Sequence, residues 1–144
     1  MDYSRETVID LPRDRVVALF EDDANRGKWQ EGLEEFRTIE GDAGQEGAKS
    51  YIRYKMGRRE VEMTETIEER RPPERFTGIY EAKGVWNRVE NTFTEEGDQT
   101  RWRVDTEFRC AGFLGLMARL FPGMFAKQTE KMMAAFKSFA ERAA

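Results

Sequence analysis

One carboxylate stands where an apolar side chain belongs. Residues 59–70 alternate as a strand does, with Val61, Met63, Glu65 and Ile67 on one face and Glu60, Glu62, Thr64, Thr66 and Glu68 on the other. A carboxyl group on a dry face is a candidate general acid or base toward a bound molecule. The competing expectation is a bulge or a register slip that returns Glu65 to water. Asn87 and Asn91 share one face of a later strand, where two amides could orient a polar group of a ligand or could simply satisfy neighbouring backbone or hydroxyl groups. Tyr54 and Tyr80 pose the same choice: polar-tipped cavity walls, or core tyrosines whose hydroxyls find a backbone partner. The single cysteine, Cys110, has no disulfide partner and reads as a small inert hydrophobe. The sequence has no histidine, which excludes histidine triads, histidine metal sites and imidazole acid–base chemistry. No metal and no organic cofactor is implied, and no glycine-rich phosphate loop precedes a helix.

The elements that must position these residues follow from period and punctuation. Residues 3–9 read as a first strand. Pro12 suits the first turn of a short helix carrying Val16, Val17, Leu19 and Phe20. After Asp22-Asp23, residues 26–30 give a second short helix anchored by Trp29. Strands are expected over 33–40, 48–56, 59–70, 75–82, 85–94 and 100–108, separated by Gly57-Arg58, Pro72-Pro73, Lys83-Gly84 and Gly97-Asp98. Because the outward members of these alternations are mostly charged, one sheet face is wet and the other needs a cover.

That cover is the C-terminal stretch, 113–142. Phe113, Met117, Leu120, Phe121, Met124, Phe125, Met132, Met133, Phe136 and Phe139 recur mostly at steps of three or four and line one helix face. Methionine in such numbers suits the wall of a pocket for irregular ligands as well as it suits plain core packing. Pro122-Gly123 interrupts the stripe: proline lacks the N–H and clashes with the carbonyl of Ala118, so the helix should kink there or begin anew. The expected class is α+β: seven antiparallel strands curled around a long terminal helix, with two short helices between the first and second strands, in one domain spanning 1–144.

Composition narrows the partners. Net charge is −4, from 24 basic and 28 acidic residues with the signs interleaved, which argues against nucleic acid. No apolar run approaches the ~18 residues of a membrane span. The first residues lack a signal-peptide pattern, so a cytoplasmic location is the expectation. A homodimer stays open.

The ordered set of motifs resembles the START-related, Bet v 1-like superfamily (SRPBCC), whose bacterial members include polyketide cyclase/dehydrase and lipid-transport proteins. The matching pieces are the opening Val8 to Val16, Trp29 after the short helices, Gly44 to Gly47, Glu68 to Phe76, the Gly97 to Trp102 turn and the long terminal helix. The resemblance covers nearly the whole chain. It implies a helix-grip fold with a cavity between sheet and terminal helix, and it leaves function open, because the superfamily hosts carriers, cyclases and chaperone cofactors.

The expected role is to bind a small hydrophobic molecule, a lipid or a polyketide-like compound. The candidate wall comprises Tyr54, Met63, Glu65, Tyr80, Asn87, Val89, Asn91, Trp102, Met117, Phe121, Met124, Phe125 and Met132. Three rivals remain. A cyclase or dehydratase would use Glu65 as acid/base. A protein-interaction module would have a filled core and an exposed apolar patch. A membrane-surface protein would insert Phe113, Leu114, Leu116, Phe121 and Phe125, an option that the weak basic character of the chain counts against.

Overall fold

A computed structural model describes residues 2–143. Its strands are β1 (Asp2–Ile9), β2 (Leu33–Glu40), β3 (Lys49–Met56), β4 (Arg59–Arg71), β5 (Arg75–Ala82), β6 (Val85–Glu96) and β7 (Gln99–Cys110). Helices α1 (Arg13–Glu21) and α2 (Arg26–Trp29) lie between β1 and β2, and α3 (Gly112–Leu120) and α4 (Met124–Arg142) close the chain. The strands form one seven-stranded sheet in the order β1-β7-β6-β5-β4-β3-β2. Every neighbouring pair is antiparallel. Hairpins therefore build the sheet from β2 to β7, and β1 returns to the far edge, with α1 and α2 carrying the chain across between the two edges.

The alternations set which residues reach the interior. On β3, Ser50 and Ile52 are buried while their neighbours are wetter; on β7 the buried set is Thr100, Trp102, Val104 and Thr106. The imperfect spacing of β2 is explained by register shifts at Leu33/Glu35 and Thr38/Glu40. On β4 the one irregularity lies at Ile67/Glu69, beyond Glu65, so the register that turns Glu65 inward is intact.

The dry face is covered by α4, which presents Ala126, Met133, Phe136 and Ala140 as its buried stripe. The C-terminal half of this helix packs on β1, α1 and an aromatic cluster centred on Phe20. That ring lies between 5.2 and 6.0 Å from the rings of Trp29, Phe76, Phe93, Trp102 and Phe136. Such contacts add to area burial, and Trp102, Phe93 and Phe136 are among the most completely buried side chains.

The terminal segment breaks at Pro122, where the sequence placed a kink or a fresh helix start, and the long helix is the part after it. Pro122 restricts the residue before it to extended backbone, and Phe121 sits at φ −129° and ψ 71°. The helix ends at Leu120 and a new one starts at Met124. The apolar stripe is split by this elbow: Phe113, Leu120 and Phe121 are exposed rather than buried under the sheet. Among the described residues, no helix is long and apolar enough to cross a membrane.

Candidate functional site

The site begins with one cross-strand pair. Glu65 on β4 is the direct register partner of Tyr80 on β5, and both side chains point to the concave face. The Tyr80 hydroxyl donates to Glu65 Oε2 at 2.8 Å. Gly78 makes this possible. The Tyr80 ring lies over it, and a Cβ at residue 78 would meet the ring Cε2 at 3.0 Å and the hydroxyl at 3.1 Å. Glycine inside a strand marks such a close approach.

The cation comes from the other edge of the fold. Asp22 caps the turn before α2 by accepting from the Ala24 N–H at 3.0 Å, and Asn25 donates from its amide to the Leu19 carbonyl at 3.2 Å. These bonds fasten α2 so that Arg26 reaches across to β4. Its two terminal nitrogens donate to the two Glu65 oxygens at 3.3 and 3.4 Å, while Nε donates to Asp23 at 2.9 Å. The guanidinium also stacks 3.9 Å from the centre of the Phe36 ring. Glu65 is 4% exposed. Its burial would cost several kcal/mol unpaired; here a guanidinium and a phenol offset that cost.

Burial is the largest single influence on Arg26 and disfavours its charge, but Glu65, Tyr80 and Asp23 together outweigh it, so the guanidinium is held above its ordinary value. Burial raises the Tyr80 phenol well above its ordinary value, and the neighbouring Glu65 charge raises it further. Burial likewise pushes Tyr54 up to about 12, against a smaller opposing pull from Arg26. Both phenols are therefore neutral near pH 7. Tyr54 donates to Gln30 Oε1 at 2.6 Å. The phenolic protons are thus committed within the protein. What remains open is lone pairs on the two phenol oxygens, further guanidinium N–H groups of Arg26, and the amide nitrogen of Gln30.

These groups wall one end of a cavity of about 450 Å³ between the sheet, α2 and α4. Tyr54, Met63, Glu65, Tyr80, Asn87, Val89, Asn91, Phe125 and Met132 all line it, as does Trp29. Four of the expected wall residues do not. Trp102 is fully buried in the aromatic cluster behind the cavity, donating its indole N–H to Asn91 Oδ1 at 3.0 Å. Phe121 and Met124 are carried outward by the elbow at Pro122, and Met117 lies on α3 beyond it. Asn91 also donates to the Phe76 carbonyl at 3.3 Å, so its amide is used internally. Asn87 donates to Thr106 Oγ1 at 2.7 Å and to the Glu107 carbonyl at 3.0 Å, leaving its Oδ1 without a partner among the described residues.

Arg26, Gln30 and Gly78 are the members that sequence reasoning missed. A four-residue helix shows no period from which an inward face could be read, and Gly78 reads in the sequence only as one more position on an alternating face. The available signal was a demand for balance: a carboxylate on a dry face requires a cation, and Arg26 is an arginine close to the anchoring Trp29. Among the described residues, no three His, Cys, Asp or Glu side chains converge to hold a metal ion.

A curved antiparallel sheet gripping a terminal helix over a partly polar cavity is the helix-grip, Bet v 1-like fold. Residues 1–141 match the family model described as polyketide cyclase / dehydrase and lipid transport, and the chain belongs to that family. Solved structures share the architecture at low identity. TTHA0849 from Thermus thermophilus superposes with a TM-score of 0.81 at 17% identity, over 100% of this chain and 99% of that one. Ara h 8.0201 gives 0.77 at 9% identity, covering 97% of each chain. Norcoclaurine synthase from Thalictrum flavum, in complex with dopamine and hydroxybenzaldehyde, gives 0.75 at 11% identity, over 100% of this chain and 88% of that one. No curated protein matches the chain in sequence.

Proposed function

We propose that this protein binds a small, mainly apolar molecule with one polar end, the apolar body lying against Met63, Val89, Phe125 and Met132 and the polar end meeting Arg26, Tyr54 and Tyr80. The observation that carries this is the cavity itself: about 450 Å³, within the ordinary size range of small-molecule sites, more apolar than polar along its wall, with Arg26, Glu65 and Tyr80 joined in one polar cluster. Apolar burial would supply the affinity. The open guanidinium N–H groups and phenol oxygens would select a ligand group that accepts from the one and donates to the other, such as a hydroxyl or an enol. Membership of a family described by lipid transport and polyketide chemistry supports the same ligand class.

The test is native mass spectrometry of the purified protein, together with uptake of anilinonaphthalene sulfonate. A bound small molecule, or dye uptake abolished by Val89→Trp and preserved by changes on the outer face of α3, supports the proposal. A bare protein that takes up no dye, or takes it up equally in the Val89→Trp variant, overturns it.

One observation favours a second reading, in which the bound molecule is also transformed: the buried hydrogen bond from Tyr80 to Glu65 places a carboxylate and a phenol side by side in the cavity wall. It requires a turnover that Glu65→Gln abolishes while ligand affinity persists.

A further inference from the structure

The outer face of α3 and the elbow after it carry large apolar side chains that the fold leaves uncovered. Phe113 is 70% exposed, Leu120 62%, Phe121 55%, Leu116 52% and Met124 37%. Contiguous exposed apolar surface of this kind marks an interaction site. Charge decides what it meets. In a chain with 28 acidic residues, none falls between Glu107 and Glu130, and the only charges in that stretch are Arg109, Arg119 and Lys127. The two bounding acids are each neutralised, Glu107 by Arg109 at 3.4 Å and Glu130 by Arg5 at 2.7 Å. One exposed carboxylate, Glu81, lies near the turn that packs against Ala111, and that turn also carries the exposed cation Lys83. Arg119 and Lys127 are exposed and form no ion pair among the described residues.

We propose that this face docks on an anionic lipid bilayer, with Phe113, Leu116, Leu120 and Phe121 entering the interfacial zone and Arg119 and Lys127 meeting the headgroups. An apolar edge flanked by cations has the composition of an interfacial segment. A second copy of the chain fits less well: pairing this face with itself would set Arg119 and Lys127 of one copy against the same cations of the other, with no acid in the segment to offset them. The net charge of −4 does not oppose docking, because the acids lie elsewhere on the surface and are screened beyond about 10 Å.

The test is co-sedimentation with vesicles of phosphatidylcholine alone and with added phosphatidylglycerol, alongside light scattering for oligomeric state. The wild type should bind the anionic vesicles and not the neutral ones. Phe113→Ser combined with Leu116→Ser should abolish binding. Arg119→Gln combined with Lys127→Gln should weaken it on the order of thirty-fold, from two surface charges removed. All these side chains are exposed, so the thermal melts of the variants should match the wild type; the charge variant, which removes no apolar group, keeps the test decisive if the serine variant fails to fold. No binding to anionic vesicles, binding unchanged in the charge variant, or a dimer dispersed by the serine changes would overturn the proposal.

Discussion

Removing the cation from the buried cluster should cost far more than removing the cluster whole. In Arg26→Met, the Glu65 carboxylate stays at 5% side-chain exposure with only the Tyr80 hydroxyl beside it. Breaking a buried pair from one side typically costs 3–5 kcal/mol. The contacts at 3.3 and 3.4 Å are longer than the best charge-assisted bonds, and methionine keeps some packing on Phe36, so the low end applies, about 3 kcal/mol or roughly 10 °C in Tm. Glu65→Met is the gentler cut. It leaves Arg26 paired with Asp23 and 18% exposed, and should cost about 1–2 kcal/mol. The double variant Arg26→Met/Glu65→Met replaces the pair with apolar side chains and should recover to within about 1 kcal/mol of the wild type. Urea unfolding of the four proteins, with the slope of each transition checked for constancy, measures the cycle. If Arg26→Met costs less than about 1 kcal/mol, or if the double variant is as unstable as the sum of the singles, Glu65 is not held in the way described.

Gly78→Ala should push the Tyr80 ring off its place and destabilise by about 1–3 kcal/mol; the same change in a Tyr80→Leu background should cost much less, and equal costs would place the strain elsewhere. Tyr54, raised by burial from an ordinary 10.0 to about 12, and Tyr80, also raised well above its ordinary value, hold their protons in the folded state after unfolded phenols have lost theirs. Their contribution to stability is complete below pH 10 and is lost as pH rises through 12. Thermal melts should fall over that window, and phenolate absorbance from these two side chains should appear with unfolding; a melting temperature flat across the window would contradict the burial of both.

The sheet was legible because alternation survives in nearly every strand. The ends of β2 and β5 fall on the expected residues, and the inward turn of Glu65 follows from counting by two along β4. The strand residues expected on the wall, Tyr54, Met63, Glu65, Tyr80, Asn87, Val89 and Asn91, border the cavity for the same reason. The misses share a cause. Trp102 sits on the correct face, but period alone cannot say whether a face looks into a void or into another side chain; that depends on Phe20 and Phe136, from elements distant in sequence. Phe121 and Met124 satisfied the helical period, and the proline that throws them outward was visible, but the direction of the new helix was not. Arg26 was invisible because its partner is 39 residues away and its own helix is one turn long.

The position of the cavity follows from how α4 divides its work. Its C-terminal half drives Met133, Phe136 and Ala140 into the cluster of Phe20, Phe93 and Trp102, where large rings interdigitate and leave no room. Its N-terminal half stands over β4 to β6, where the sheet offers Gly78, Glu65, two asparagines and the hydrogen-bonded Tyr80 in place of an interdigitated cluster of rings. The sheet surface there cannot fill the space beneath the helix, and a buried ion pair placed in it resists collapse, because closing an apolar layer onto Glu65 and Arg26 would strip away their remaining polar contacts. Stability is therefore concentrated at one end of the helix, and the other end is free to border a cavity. The elbow at Pro122 serves the same division: it ends the packed helix where the cavity begins and turns the remaining apolar residues to the outside, beside the stacked pair Phe108 and Phe125 that belongs to the cavity wall.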